Sequence, residues 1–505
     1  MDFELEQHSI LCYETVGRAS VCQEETMEAI VPDACPDILR IVDVCAQAFP
    51  KRWEAKEGQA AVFGEIQAAV LYIPEEGTGL RRMELKLPFS CLLEMDGVTG
   101  ESVLEVSTRI RCADGRMLNP RKVLLRADAA VSVTAFGRKE LFVCSAVQTQ
   151  NPDEICQLQS CVDYERTLSI PQRVFTVSEE VRLTGTQPPK LMASRASCVC
   201  TQSRVIGSKL IFKGKSDVTM LLLTPDGILE HRTETFPFSQ VLEAKGVGET
   251  GECRVNAEVA ELIVTQSEED PYRVSVEMEI MAQGQVWEQE QLLLLSDMYS
   301  LTHHVMPQQQ ELVLNAASEE QIIPQTLRDL LETRDTVRAI CDSRFMTGDP
   351  ICTEKDGSSI YTLPGQIVVL YLDEERQLRR LVKSIEISAR ASFDTHTALT
   401  CGCMTTQDVF AAPCAGGVEV RINVEFQIRC VRRQKRNMIS QIQLGEARNT
   451  NGASPSVILR RPSPGESLWD MAKACGTTRE RIMQANELTG EEIGESQMLL
   501  IPSAR

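Results

Sequence analysis

The sequence predicts a mainly β, multidomain protein: three repeated β-rich domains followed by a small α+β domain with the element order β-α-α-β. Three observations predict this class. Strand-like apolar runs recur at a constant spacing, stretches of alternating apolar and polar residues are typical of half-buried strands, and the last fifty residues have a helical pattern of their own. At about 150 residues per domain, 505 residues are enough for about three domains.

The middle of the repeated unit is marked by three serines spaced 149 residues apart, Ser90, Ser239 and Ser388. An apolar run and an acidic, turn-like segment precede each serine. Such a pattern predicts a strand, a tight turn and a returning strand, three times over. The runs and their turns are Ala68–Ile73 with Pro74–Gly77, Val218–Leu223 with Pro225–Gly227, and Ile367–Leu372 with Asp373–Glu375.

The start and end of the unit recur as well. A tyrosine leads to a Pro-x-x-Leu segment in each copy, and each copy ends on an alternating strand. Units of about 140 residues are too long for solenoid repeats, so we expect separate domains at 1–160, 161–296 and 297–440. The landmarks are Tyr13, Tyr164 and Tyr299; Pro36–Leu39, Pro188–Leu191 and Pro324–Leu327; and Val123–Val133, Val274–Ile280 and Val418–Phe426.

The C-terminal part of the chain differs in composition from the repeats. Small, polar and turn-forming residues predict a flexible linker over 441–456. In 457–505, Val457–Leu459 and Leu499–Pro502 predict short strands, and Glu466–Ala474 has helical periodicity. Thr477–Glu480 predicts the N-cap of a second helix.

Charge and composition exclude several classes of function. The net charge of -20 would repel a phosphate backbone, so we expect no nucleic-acid partner. A prominent uncharged stretch, Ile360–Leu372, is shorter than the ~18 residues of a spanning helix, so the protein is not expected to span a membrane. The acidic N-terminus lacks the basic region of a secretory signal, which predicts a cytoplasmic protein with its 19 cysteines as reduced thiols.

The C-terminal unit resembles the LysM domain. The matching residues are Pro464–Ala472, Thr477-Thr478, Ala485–Leu488 and Met498–Pro502. The family's usual aromatic residue in the first strand is missing at Val457–Leu459, and Glu495-Ser496-Gln497 stands in place of the common Gly-Gln.

The three repeats resemble the SPOCS domain of spore-coat proteins of endospore-forming bacteria. The residues that carry this resemblance are Val31–Ile41, Leu118–Val123 and Asp297–Ser300. SPOCS domains followed by one LysM domain are similar to coat-anchoring proteins of clostridia. The resemblance implies a non-enzymatic scaffold in the mother-cell cytoplasm, at the forespore surface. Its LysM domain would bind the morphogenetic ATPase of the spore coat, and other coat proteins would be further partners in coat assembly during engulfment.

The LysM resemblance also implies a shallow groove between two loops. We expect it to hold a protein or a glycan, with the alternative that Leu468, Ile482 and Leu500 form the core and Trp469 only caps it. Because Trp469 is the one aromatic residue there, a protein is favoured over a glycan; a peptidoglycan- or cortex-binding protein is the alternative function. The groove residues are Gly465, Glu466, Ser467, Leu468, Trp469, Asn486, Glu487 and Leu488.

Other motifs give weaker hypotheses. The Cys198-x-Cys200 and Cys401-x-Cys403 pairs have the wrong spacing for zinc, and adjacent His303 and His304 would point to opposite faces of a strand, so no metal is expected. The basic stretch Arg429–Arg436 either docks on an anionic membrane or is a solvated strand end, and Asn119–Lys122 predicts a turn into a strand. No catalytic motif is present, so we expect neither an enzyme nor a cofactor, and a wall hydrolase is the least favoured alternative.

Overall fold

The computed structural model describes residues 3–77, 79–248, 251–355, 358–393, 399–448, 456–491, 493 and 497–503; the side chains of residues 3, 399–401 and 404 lie outside this description. Strands form nearly all of the described residues between 3 and 447, arranged in several sheets, and the helices described lie in the C-terminal unit apart from one short 3₁₀ turn. The mainly β class is therefore confirmed.

The first repeat is a two-layer sandwich of six strands. The first strand pairs with the sixth and the sixth with the fifth, while the second, third and fourth form an antiparallel meander. Both sheets contribute to one apolar core, in which Val62, Tyr72, Val106 and Val131 are fully buried. The strands are β1 (Phe3–Ile30), β2 (Ile38–Lys56), β3 (Gln59–Pro74), β4 (Arg81–Glu94), β5 (Val103–Asn119) and β6 (Lys122–Thr149).

The second repeat has the same plan, but its first strand is interrupted. Pro171 has no N–H to donate and separates two strands that both pair with the last strand of the repeat. A 3₁₀ turn, Pro152–Glu154, precedes β7 (Ile155–Ser169), β8 (Gln172–Arg182), β9 (Lys190–Ile206), β10 (Lys209–Leu223), β11 (Leu229–Glu243), β12 (Glu252–Gln266) and β13 (Arg273–Ser300).

The third repeat divides its second strand instead, at the Gly348-Asp349-Pro350 segment. Its first strand pairs with its last over almost thirty residues. The strands are β14 (His303–Glu332), β15 (Val337–Thr347), β16 (Ile351–Lys355), β17 (Ser358–Asp373), β18 (Leu378–Ala391), β19 (Leu399–Cys414) and β20 (Gly417–Ala447).

The strand–turn–strand prediction is confirmed in all three repeats, because each predicted run lies in β3, β10 or β17 and each acidic segment turns into the next strand. The landmarks proposed for the start of the third repeat are wrong. Tyr299 lies at the end of β13, and Pro324–Leu327 lies inside β14, paired to β20. The expected boundaries after residues 160, 296 and 440 each fall inside a strand, β7, β13 and β20, because these strands continue beyond the sandwiches.

The outer parts of the long strands form three two-stranded arms, which we call the stalk (residues 3–17, 137–149, 155–169, 286–300, 303–315 and 432–447). The arms share apolar clusters that contain Cys12, Tyr164, Leu294 and Met438. Where one arm crosses another, the Gln157 side-chain amide bonds the backbone N–H and C=O of Val147, each at 2.8 Å. Separate repeats thus share one core at this end.

The three meanders meet at a second common core, which we call the junction. Apolar residues of β2, β3, β9, β10, β15 and β17 pack together there. Beside them, Arg195 of the second repeat forms a bidentate ion pair with Asp342 of the third, at 2.7 and 3.0 Å. Arg344 bonds Asp43 of the first repeat at 2.8 Å. Apolar contacts and ion pairs at the junction therefore join all three repeats.

Most cysteines agree with the expectation of reduced thiols. Among the described residues, the cysteines with free thiols include Cys198 and Cys200. Cys430 is disulfide-bonded, so the expectation is wrong at this position. The side chain of Cys401 lies outside the described residues.

Candidate functional site

The C-terminal unit, which we call the module, has the predicted β-α-α-β order: β21 (Val457–Arg460), α1 (Leu468–Cys475), α2 (Arg479–Ala485) and β22 (Leu499–Pro502). Its two strands pair antiparallel, with Leu459 opposite Leu500. The predicted linker 441–456 overlaps the end of β20, and residues 449–455 lie outside the described residues.

Both helices begin at a capping residue; the sequence predicts the cap of α2 within Thr477–Glu480, and the structure adds Ser467 as the cap of α1. The Ser467 hydroxyl accepts from the backbone N–H of Asp470, whose carboxylate accepts from the backbone N–H of Ser467, which makes a capping box. Thr478 caps α2 by accepting from Arg481 N–H. Gly476 ends α1 in the left-handed region at φ 62°, a conformation that glycine adopts without strain.

The expected groove residues divide into three groups by exposure. Gly465, Ser467 and Glu487 are exposed, and Glu466, Asn486 and Leu488 are half-buried. Leu468 and Trp469 are buried in the module core. Whether the exposed members contact a ligand stays a prediction.

Several groove residues hold the two loops in shape. Glu466 pairs with Arg460 at 2.5 Å and accepts from Ser463 N–H at 2.9 Å. The Asn486 amide bonds both the N–H and the C=O of Leu500, each at 2.7 Å. This amide therefore occupies the free backbone edge of β22 at Leu500, the place where another strand would otherwise pair.

Trp469 packs against the stalk and does not face solvent. Its Nε1–H donates to the Asp297 carboxylate at 2.7 Å, and Lys473 Nζ bonds the same carboxylate at 2.7 Å. The Tyr299 ring stands edge-on to the indole, with the ring centres 4.9 Å apart. The Tyr299 hydroxyl donates to the Thr477 carbonyl at 2.7 Å, and burial raises the pKa of this phenol.

Asp297 and Tyr299 are the site residues that sequence reasoning did not connect with the module. Both belong to the Asp297–Ser300 segment, which the sequence singles out only as part of a repeat. A contact across more than 170 residues has no local signal. Only the fold brings these two parts of the chain together, because it places Asp297, near the end of β13, beside the module.

An apolar patch covers the side of the two-stranded sheet that faces away from the module core. Direct partners across an antiparallel pair lie on the same face, so Leu459 and Leu500 share this side with Val457, and Met498 lies next to them. Their exposed fractions are 50% for Val457, 58% for Leu459, 56% for Met498 and 43% for Leu500. We call these four residues the outer face.

The basic stretch is largely part of the fold. Half-buried Arg429 pairs with buried Glu165 of β7 at 2.6 Å, and its guanidinium lies 3.9 Å from the centre of the Trp287 ring, so it links the second and third repeats. Lys435 pairs with Glu311 across β14 and β20 of the third repeat at 2.9 Å. These contacts favour the interpretation of a strand end over a membrane-docking patch.

The Asn119–Lys122 motif forms the predicted turn, between β5 and β6. The Arg121 guanidinium reaches the carbonyls of Val31 and Cys35 at 2.9 and 2.8 Å and the Asp37 carboxylate at 3.0 Å. It therefore fixes the loop that leads into β2. His303 and His304 begin β14, where Nδ1 of His303 lies 3.0 Å from the Thr302 hydroxyl.

Within the described part of the chain, no cluster of three or more His, Cys, Asp or Glu side chains has the geometry to hold a metal ion. The described helices include none that is long and apolar enough to cross a membrane. No protein-family model matches the chain, and no curated protein or solved structure matches it either.

Proposed function

We propose that the chain is a non-enzymatic scaffold of spore-coat assembly whose module binds the coat's morphogenetic ATPase and anchors the coat to the forespore surface. The observation that carries the protein-binding part is the outer face. The identity of the partner and the location in the mother-cell cytoplasm rest on the resemblance to SPOCS and LysM domains.

The chemistry of the outer face suits a protein better than a sugar. Its four exposed side chains are aliphatic or thioether groups, and burying such apolar surface is worth roughly 25 cal/mol per Å². Sugars in proteins commonly stack on aromatic rings, but the Trp469 ring is engaged by Tyr299. The coat ATPase is therefore the favoured ligand, and a cortex or wall glycan is the alternative outcome of the test.

The rest of the chain suits a scaffold because the repeats form one body. Shared cores at the stalk and the junction hold three sandwiches in fixed positions. Each sandwich has its own outward surfaces, on which other coat proteins could bind. Several weak contacts on one rigid body add up to durable attachment to a polymerised partner.

The test compares the full-length chain with Leu459→Ser/Leu500→Ser. We expect wild type to bind the purified ATPase saturably and the double variant to bind at least tenfold more weakly. A matched control, Ile263→Ser/Val382→Ser, removes two similarly exposed apolar side chains from the repeats and leaves the affinity unchanged. Circular dichroism and thermal melting verify that all three proteins are folded.

Peptidoglycan fragments are titrated in parallel. Equal ATPase affinity for wild type and the outer-face variant would contradict the role of this face. Saturable binding to glycan with none to the ATPase would replace the scaffold proposal by the glycan-binding alternative.

A further inference from the structure

We propose that the α1 face of the module is a recognition site for a protein segment with a carboxylate two residues before a tyrosine, and that the chain keeps this site closed with its own Asp297-Met298-Tyr299. This site is distinct from the outer face, so the inference goes beyond the proposed function. The module is held in a self-occupied state that a partner segment of the same chemistry opens.

The α1 face has the donors of a carboxylate site. Trp469 and Lys473 are four residues apart, which places them side by side on a helix. One contributes the indole N–H and the other the ammonium group, and both converge on the two oxygens of one carboxylate at 2.7 Å. Hydrogen bonds of a charged donor to a carboxylate are stronger than neutral ones, so this pair recognises an acid in preference to an amide.

The site also binds an aromatic ring close to the carboxylate. Tyr299 packs edge-on against the Trp469 indole and is buried among the module's core residues. Its hydroxyl donates to the Thr477 carbonyl, just beyond the end of α1. A phenylalanine would keep the ring contact and lose this hydrogen bond, so the module distinguishes tyrosine from phenylalanine.

The contacts of Asp297 and Tyr299 with the module are strong enough to keep the site occupied. They are weak enough for a partner segment to displace them. Lys473 remains 39% exposed, so water screens its pair with Asp297. The stalk adds only a few apolar side chains to the contact, Cys156, Leu158 and Leu301 besides Tyr299. The closed state owes its persistence to the covalent connection, which keeps the two surfaces at a high effective concentration.

An internal segment that occupies a binding site lowers the apparent affinity of an external one. If the open state is rare, the measured dissociation constant rises by the inverse of the open fraction. Loss of the Asp297 carboxylate removes two bonds to the module, whereas the module's own donors stay in place. A variant that lacks the Asp297 carboxylate therefore vacates the site but keeps the groups that bind an external peptide.

The experiment uses the full-length chain and two synthetic peptides, Ser-Asp-Met-Tyr-Ser-Leu-Thr, which copies residues 296–302, and its Asp→Asn analogue. The opened variant is Asp297→Ala/Tyr299→Phe. Its matched control, Glu311→Gln, removes a stalk carboxylate that pairs with exposed Lys435. Hydrogen exchange of residues 468–477 reports whether the module face is released, and fluorescence anisotropy measures peptide binding.

We expect faster exchange in the opened variant than in wild type and the control, and at least tenfold tighter binding of the acidic peptide. The Asp→Asn peptide should bind at least fivefold more weakly, and Lys473→Met in the opened background should remove that preference. Unchanged exchange would overturn the closed state. Faster exchange without peptide binding, or binding with no preference for the acid, would overturn the recognition site. Binding of the ATPase to the outer face is tested with substitutions at other residues, Leu459 and Leu500. The proposed function and the proposed recognition site can therefore fail independently.

Discussion

At the scale of single residues, Glu258 of β12 lies where the first two repeats touch. Its carboxylate is 3.9 Å from the guanidinium of Arg109 on β5. Burial raises the pKa of Glu258 to about 7; Arg109 opposes the shift, and Asp349 and Glu105 add to it. The carboxyl group therefore stays partly protonated near neutral pH, in contact with charges from all three repeats.

This shifted pKa predicts a pH dependence of stability with a definite sign. Because the folded state holds the proton more tightly than the unfolded state, the contribution of Glu258 is fully present below about pH 4.5 and is lost as the pH rises through 7. Glu258→Gln keeps a neutral side chain at every pH. We expect the variant to match wild type near pH 4.5 and to exceed it near pH 8 by on the order of 3 kcal/mol, since the pKa rises from 4.5 to about 7 and one pKa unit is about 1.4 kcal/mol.

Urea unfolding at a series of pH values measures this difference. Glu277→Gln is the matched control, because Glu277 lies on the exposed face of the neighbouring strand β13. A pH-independent difference for Glu258→Gln would show that the carboxyl group titrates normally.

Individual residues also show which contacts can be predicted from sequence and which cannot. The cap of α2 at Thr478 is recognisable from its neighbours, since a cap acts within four residues of itself. Ser467 lies inside the predicted helical stretch Glu466–Ala474, and its role as the cap of α1 was not predicted. Trp469 is recognisable as a site residue, but its partner Asp297 is not, because the bond between them joins distant parts of the chain. The junction ion pairs escape prediction for the same reason.

At the scale of elements, each meander depends on one glycine in its middle strand. Gly64, Gly214 and Gly365 each lie under a phenylalanine ring and close to a carbonyl of the preceding strand. In the first two repeats the ring comes from the fourth strand of the sandwich, Phe89 and Phe238. In the third, Phe345 of β15 supplies it instead, and β18 has Ile385 opposite the glycine.

We expect Gly365→Ala to destabilise the protein. An added Cβ would lie 2.5 Å from the Phe345 ring and 2.6 Å from the Met346 carbonyl oxygen, so a backbone or a buried ring has to move. Overpacking of this kind costs about 1–3 kcal/mol. At the control position Gly100, the nearest atom would be 4.0 Å away, and Gly100→Ala should be neutral. Urea denaturation at fixed pH compares them, and equal stability of the two variants would contradict this account.

Of the three scales, the secondary-structure elements were predicted best from the sequence. Alternation identified Val274–Ile280 because Val274, Val276, Met278 and Ile280 are buried and the residues between them are exposed. The third repeat was harder, since β14 is mostly exposed and its Pro324–Leu327 segment imitates the entry to a second strand. Local sequence does not distinguish a proline on an outer strand from one in a loop.

At the scale of the whole molecule, buried charges decide how the three sandwiches fit together. Burial opposes ionisation of Asp342, but Arg195 and Arg344 outweigh it and lower the pKa of this carboxyl group. Arg380 adds a further ion pair to Asp43, with its Nε 3.0 Å from the carboxylate. Charges of the first, second and third repeats therefore neutralise one another, and a shifted arrangement of the sandwiches would leave some of them buried without a partner.

Arg344→Met tests this account. The change removes a buried cation from two carboxylates with fully buried side chains, Asp43 and Asp342, and breaking such a pair costs about 3–5 kcal/mol. Arg379→Met is the control, because Arg379 is 43% exposed in its pair with Asp373 and water screens that pair, so its loss should cost far less than that of Arg344. Calorimetric unfolding of both variants gives the comparison, and equal costs would show that the junction is held by its apolar residues alone.

The pairing of the first strand of a repeat with its last strand has a consequence for synthesis on the ribosome. β1 cannot pair until β6 has been synthesised, more than ninety residues later. In the same way, β14 cannot pair until β20 has been synthesised. Long-range pairing of this kind is slow and leaves an edge exposed meanwhile. Since the three arms have similar strands, a growing chain offers each waiting strand more than one candidate partner. The order of translation, which completes one sandwich before the next begins, limits that choice to the correct one.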